Sequence, residues 1–265
     1  MYIGAAIVGL ILVLAAFAPV IALHPPAKLD FRHKLVAPTS DFPFGTDEFG
    51  RDLFSRTLYG ARISLQAAAI ILIVGGTIGT VLGLITAYKG GWYDDIAMRI
   101  SDIFMAFPSL LLAMTVSAAL GASLQAATLA IAFVWWPSYA RIVRSTVLTI
   151  RAQPYIEAAR VAGSHDSRII IRHVFPNALS PLIVKATTDI GAAILLTASL
   201  GFLGLGAQEP TAEWGRMVAA GRTHILDAWW YPTFPGLAIF VSVLGFAWIG
   251  DGLRDFLDPV LRKRG

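Results

Sequence analysis

The 265 residues are 56% hydrophobic and 14% charged, with a mean hydropathy of +0.68, whereas an ordinary soluble domain carries about 25% charged residues. This is the composition of a membrane protein, and the absence of cysteine excludes a disulfide framework and a thiolate metal site. The formal net charge of +4 sits on basic residues at the ends of apolar runs, without interleaved aromatics along one face. That pattern argues against nucleic acid and for membrane orientation.

Tyr2 to Leu23 has no charged side chain and exceeds the ~20 residues needed to span the hydrocarbon core. Ala16-Phe17-Ala18 resembles a cleavage site, but the basic n-region is missing, Pro19 follows at once, and the apolar run is longer than the usual ~7–15 residues of a signal. A retained helix is expected. His24 to Ile63 is an aqueous segment of mixed charge, and from Phe44 to Arg56 turn residues give way to helical spacing of Leu53, Phe54, Thr57 and Leu58. This predicts a surface helix at the interface. Asp47, Glu48 and Asp52 have the chemistry to hold a metal, but Arg51 and Arg56 beside them favour solvated ion pairs on an exposed face.

Ser64 to Tyr88 is the second uncharged span. Gly75, Gly79 and Gly83 fall four apart on one helix face, where another backbone can approach closely. Lys89 to Asp102 reads as a short aqueous turn, with Asp94 and Asp95 as partners of a helix N-terminus. Ile103 to Ala140 is uncharged and long enough for two spans, turning at Gly121-Ala122-Ser123, with Pro108 and Pro137 near the aqueous ends. A charged loop from Arg141 to about Ser180 follows.

The fifth span, Pro181 to Leu205, carries Lys185 and Asp189 as an i, i+4 pair. Two readings fit that pair: a functional intramembrane charge pair, or a structural pair snorkelling at the interface. Gly201, Gly204 and Gly206 end the helix without forming a dinucleotide fingerprint. Gln208 to Tyr231 is aqueous, closing on an aromatic belt at Trp229-Trp230-Tyr231. Pro232 to Gly250 is the sixth span, and Asp251 to Gly265 is a basic-ended tail.

The expected fold is an all-α integral membrane protein with six transmembrane helices. Residues 1–63 form the first span plus an external amphipathic segment, and residues 64–265 form a five-helix core. With both termini in the cytoplasm, inside segments hold twelve Lys or Arg and outside segments eight, so the positive-inside rule places the central loop in the cytoplasm.

Within that loop Pro154 suits a first helical turn, Gly163 can end the helix in the left-handed conformation, and Ser164 or Asp166 can cap a second helix that finishes near Pro176. The alanines at 158, 159 and 162 make a narrow surface; Arg168 and Arg172 share one face of the second helix. Docking to a partner and lying flat on the membrane both fit these properties.

Glu157-Ala158-Ala159, with glycine at the seventh position (Gly163) and proline at the twentieth (Pro176), resembles the EAA loop of ATP-binding-cassette (ABC) importer permeases. Phe44 to Leu65, Ala106 to Ser109, Arg172 to Pro181, Phe202 to Gly206 with Pro210-Thr211 and Trp214-Gly215, and Gly250 to Asp255 with Asp258-Pro259 resemble the C-type permease subunit of dipeptide, oligopeptide and nickel importers. The likeness covers nearly the whole chain. It departs at the start, which lacks the family's short basic tail, and at Ser167, where an aromatic is common.

The resemblance implies a type I (MetI-like) importer permease in the inner, cytoplasmic membrane of the cell. Its partners would be a second homologous permease, two ABC ATPase subunits that carry ATP and Mg, an extracytoplasmic substrate-binding protein, and lipid. The ATPase-coupling residues would be Glu157, Ala158, Ala159, Gly163, Asp166, Arg168, Arg172, His173 and Pro176. The chain has no G-x-x-x-x-G-K-[ST] loop, so no cofactor is expected on it and the nucleotide chemistry falls to the partners.

The substrate would be a dipeptide or oligopeptide, with nickel or another small solute as the alternative. A membrane enzyme would need convergent catalytic groups. The five histidines (24, 33, 165, 173 and 224) are scattered, however, and H-E-x-x-H and G-x-S-x-G are absent. A secondary transporter would need inverted repeats and charges deep in several spans, and only the fifth span has any.

Overall fold

The computed structural model describes residues 1–257. The chain begins with α1 (Tyr2–Ala16), which breaks at Phe17 before the single turn α2 (Ala18–Ile21) with Pro19 in its first turn. The first expected span is therefore two helices. Proline has no N–H to continue the ladder of the preceding turn.

Asp52 then starts α3 (Leu53–Lys89), its carboxylate accepting from Phe54 N and Ser55 N. An N-cap of this kind satisfies orphan donors of the first turn. At 1.5 Å per residue, the 37 residues of α3 extend ~55 Å, well beyond the ~30 Å hydrocarbon core. The expected surface helix at Leu53–Leu58 is the N-terminal end of this span, with Leu53 and Leu58 buried. The division expected between residues 63 and 64 falls inside it.

Next, α4 (Trp92–Ala106) and α5 (Ser109–Leu120) meet at a 91° bend across Phe107-Pro108. The stretch expected to be an aqueous turn is mostly α4. Pro108 marks a sharp break within the pair, since the residue before a proline is driven out of the helical region. After that come α6 (Leu124–Arg151), α7 (Pro154–Val161) and α8 (Asp166–Ile169). A π-turn over Ile170–Val174 leads directly into α9 (Phe175–Phe202), and α10 (Trp214–Gly221) and α11 (Trp230–Leu257) follow.

Pro137 lies inside α6, midway along it, not near an aqueous end. Pro176 does not finish the second loop helix either; it sits in the first turn of α9. A π-turn shifts the hydrogen-bond register by one residue, and a proline is tolerated in a first turn because its missing N–H would be unpaired there.

Among the described residues, α3, α6, the run Asp166–Phe202 and α11 are long and apolar enough to cross a membrane. The bent α4–α5 pair and the shorter apolar α1 complete the set. Two apolar clusters hold the bundle. One joins α1, α3, α5, α6, α9, α10 and α11, and the other joins the ends of α3 and α6 to α7, α8 and the start of α9.

The contact between α3 and α6 rests on glycine. A Cβ on Gly75 would come within 2.8 Å of the Ala132 carbonyl, one on Gly83 within 2.6 Å of the Ala140 carbonyl, and one on Gly79 would overlap the Trp136 carbonyl. Three glycines at four-residue spacing thus face three carbonyls at the same spacing. Backbone meets backbone along three turns, as small residues permit in helices that lack a hydrophobic drive to associate in lipid.

Candidate functional site

The loop between α6 and α9 stands on an apolar base. Ile156 of α7, Ile169 of α8 and Val174 are fully buried against Ala87, Tyr88, Val147 and Ile150. The helix α7 opens with Pro154 in its first turn and ends in a Schellman motif. Gly163 N donates to Arg160 O at 2.9 Å and Ser164 N to Ala159 O at 3.0 Å, with Gly163 at φ +78°. The motif needs a left-handed residue at that position, hence glycine. A Cβ at Gly163 would meet nothing within 4 Å, so the requirement comes from the backbone conformation and not from space.

Neither Ser164 nor Asp166 caps α8; His165 occupies that position without a side-chain cap. Asp166 instead accepts from the Tyr88 hydroxyl at 2.9 Å, and Arg160 reaches the same oxygen at 3.4 Å with its guanidinium over the Tyr88 ring. Tyr88, the penultimate residue of α3, therefore joins both loop helices to a membrane span. Glu157, Ala158, Arg168, Arg172 and Pro176 are exposed, while Ala159 and His173 are half-buried. Across the π-turn Ile169 and Val174 both point inward, and Ile171 is 69% exposed.

The expected central loop of residues 141–180 is shorter in space, because α6 continues to Arg151. Its first charged residues belong to a helix: Arg144 holds Asp94 of α4 through two hydrogen bonds from Nε and one from Nη2, at 2.7–2.9 Å. Asp94 is thus a buried ion-pair partner in the first turn of α4.

The pair Lys185 and Asp189 lies in the middle of α9, 3.0 Å apart. Asp189 accepts from Trp135 Nε1 at 2.8 Å, and Lys185 Nζ lies 5.0 Å from the Tyr139 ring centroid. Trp135 and Tyr139 belong to the central turns of α6, which places the pair between α6 and α9.

Of the two segments expected to be aqueous, 24–63 and 208–231, the first gives its residues from Leu53 onward to α3, and the remainder packs against the second as a cap. Asp47 accepts from Phe49 N and Arg51 N at 2.9 Å and from Arg51 Nε at 2.5 Å. Arg51 also pairs with Glu209, and Arg56 lies 3.6 Å from Asp47 and 3.7 Å from Glu209. Asp47, Arg51 and Arg56 are at most 2% exposed, so the expected solvated surface pairs are a buried network. Burial works to lower the Arg51 pKa, but the Glu209 and Asp47 carboxylates outweigh it and raise the guanidinium above its ordinary value. No spacing in the sequence links Arg51 to a residue 158 positions away.

The expected aromatic belt fails in the same region. Trp230 and Tyr231 are buried, with Trp230 Nε1 donating to Thr46 O at 3.3 Å, and only Trp229 is exposed. Trp214 donates to Thr57 O at 2.9 Å and anchors α10 on α3. Among the described residues no group of three or more His, Cys, Asp or Glu is arranged for a metal. Asp258-Pro259 and the basic residues 262–264 lie outside the described residues.

Residues 79–263 match the family model described as "Binding-protein-dependent transport system inner membrane component". The chain is 48% identical, over 97% of its length and 86% of the relative's, to the Escherichia coli (strain K12) protein named "Probable D,D-dipeptide transport system permease protein DdpC". It is also 48% identical, over the same shares, to the dipeptide transport system permease protein DppC of Alkalihalophilus pseudofirmus. Its fold is similar to that of a chain of the inward-facing MetNI methionine ABC transporter, with TM-score 0.61 and 21% identity over 77% of this chain and 96% of that one. The chain is therefore a member of the binding-protein-dependent transport inner-membrane component family, a MetI-like transmembrane permease subunit.

Proposed function

We propose that this permease serves an ATP-driven peptide importer, forming half of the translocation path and coupling to ATPase subunits through Glu157 to Pro176. The observation that carries the reading is the loop itself. Ile156, Ile169 and Val174 are spent on a base fixed to α3 and α6, while Glu157, Ala158, Arg168 and Arg172 face outward with Val161 and Ile171. An outward face that mixes charged, small and apolar side chains on a firmly held base suits a partner that pushes and pulls. The peptide cargo is taken from relatives that are 48% identical and named for dipeptide transport.

In this reading both termini and the loop are cytoplasmic, a second permease completes the path, and two ATPases grip the two loops with ATP and Mg. An external binding protein delivers solute to the cap side. Nucleotide-driven closure moves α7 and α8, and the Tyr88 contacts pass that motion to α3.

Co-purification of the tagged chain from its native membrane tests this. The expected result is recovery of a second permease and ATPases whose hydrolysis responds to changes at Glu157 or Gly163. A chain that purifies alone, or a complex indifferent to those changes, overturns the reading.

A further inference from the structure

The pair Lys185 and Asp189 is not closed off by the helices around it. Their side chains retain 21% and 13% of their exposure, and both line a groove of about 550 Å³ between α6, α9 and α11. The same groove is lined by Ser180, Thr188, Asp251 and Arg254. Its charged lining is two cations and two anions, one of each at the depth of the pair and one of each toward the end of α11 on the side of the loop.

Next to the pair, Tyr139 is 2% exposed, and its hydroxyl faces the Asp189 carboxylate. Beyond each other, the two charges have Trp135 Nε1, the Tyr139 hydroxyl on Asp189 and the face of the Tyr139 ring under Lys185, all of them uncharged. These orient Lys185 and Asp189 without neutralising them. An ion pair buried for stability alone is closed by packing and further hydrogen bonds, because desolvation otherwise outweighs its attraction. Charges at membrane depth that face a cavity are placed for a passing ligand.

We propose that Lys185 and Asp189 form an intramembrane recognition site for a zwitterionic solute, a short peptide with free amino and carboxyl termini. The peptide's ammonium replaces Lys185 at Asp189, and its carboxylate is taken by the freed Lys185. In the empty state the two side chains neutralise each other, so no lone charge is left in the membrane. With peptide bound, each is neutralised by a terminus, and net charge is unchanged throughout. A solute with only one charged terminus leaves one side chain unpaired and is rejected by the cost of that lone charge. This inference rests on the peptide-importer reading and adds to it a site that selects chemistry within the membrane.

The chain contains no cysteine, which makes the test direct. Thr188→Cys is introduced into the complete importer, and modification of this subunit by a water-soluble, membrane-impermeant methanethiosulfonate is followed by mass. Alanylalanine, its N-acetyl derivative and its C-terminal amide are the probes, and ATP-dependent uptake of alanylalanine is measured on the same preparation. Alanylalanine is expected to slow modification by roughly tenfold or more, the equivalent of one charge-assisted hydrogen bond, and the two blocked derivatives are expected not to slow it.

Adding Asp189→Asn or Lys185→Met abolishes the protection while the rate without peptide stays that of Thr188→Cys, which shows that the groove is intact. Equal protection by all three probes, or none by any with uptake preserved, overturns the site but leaves the importer reading standing. Failure of the thiol introduced by Thr188→Cys to react at all shows a groove closed to water and also overturns the site. Absence of ATP-dependent uptake of any peptide overturns the importer reading and the site with it.

Discussion

The cap and the loop between α6 and α9 both lie between membrane helices, yet they are built in opposite ways. The cap buries Asp47, Arg51, Asp52, Arg56, Glu213, Trp214, Trp230 and Tyr231, and Phe44 stacks on Phe234 at 4.1 Å between centroids. In the loop, Ile156, Ile169 and Val174 are the buried residues from Ala152 to Val174, and Ile171 and Val161 project into the surroundings. A segment whose charges are satisfied internally is finished by folding. A segment that leaves Val161 and Ile171 exposed beside its charges is, in the reading proposed above, finished by a partner. The difference separates a fixed wall from what the proposed reading makes a handle.

The largest expected effect lies in the wall. Asp47→Ala leaves the guanidiniums of Arg51 and Arg56 buried with only Glu209 for charge, and removing one partner of a buried pair costs about 3–5 kcal/mol. Thermal unfolding of the purified protein in detergent should show a large fall in midpoint, and a midpoint like that of the parent would contradict the burial of the network. Gly79→Val comes next, since even its Cβ overlaps the Trp136 carbonyl. Overpacking of this kind costs about 1–3 kcal/mol, read in the same experiment, and Gly76→Ala, with its nearest contact at 3.4 Å, should cost less.

The loop should respond differently. Gly163→Val meets no atom but forces a β-branched residue into the left-handed region, at roughly 1–2 kcal/mol. The expected result is a protein that inserts and assembles but no longer couples ATP hydrolysis to transport. Retained coupling would mean that the Schellman turn is not the element on which the partner acts. Asp47→Ala and Gly163→Val therefore invert each other: one is read in unfolding, the other in coupling.

What the sequence made legible follows from the range of the interactions. Gly75, Gly79 and Gly83, the turn at Gly163 and the start at Pro154 are local patterns, set by helical spacing or by the φ of one residue, and each could be read in place. The cap could not. Asp47, Arg51 and Arg56 look like a solvated charge run until Glu209 closes over them from the far end of the chain, and Trp230 looks like an interfacial aromatic until Thr46 accepts its N–H.

Proline misled for another reason. Pro108 lies at the bend between α4 and α5, Pro137 sits inside α6 and Pro176 begins α9, outcomes decided by neighbouring turns and packing and not by proline alone. The exposure of Lys185 and Asp189 to a groove likewise depends on where α11 lies, which no spacing within α9 reveals.

The smallest effect sharpens the contrast most. Tyr88→Phe removes the hydroxyl that donates to Asp166 and lies within reach of Arg160 while keeping the ring in the apolar base. A neutral hydrogen bond contributes about 0.5–1.5 kcal/mol and one to a charged group about 1.5–3 kcal/mol, but Asp166 is exposed and water replaces much of what is lost. The unfolding midpoint should barely move. Amide exchange over residues 163–170 should nevertheless accelerate severalfold, because that hydroxyl is what joins the start of α8 to α3 beyond the apolar contacts of Ile156 and Ile169. If exchange there is unchanged, the apolar base alone holds the handle, and motion of the loop reaches α3 through packing and not through Tyr88. If exchange accelerates across the cap as well, wall and handle are one cooperative unit and the division between them fails.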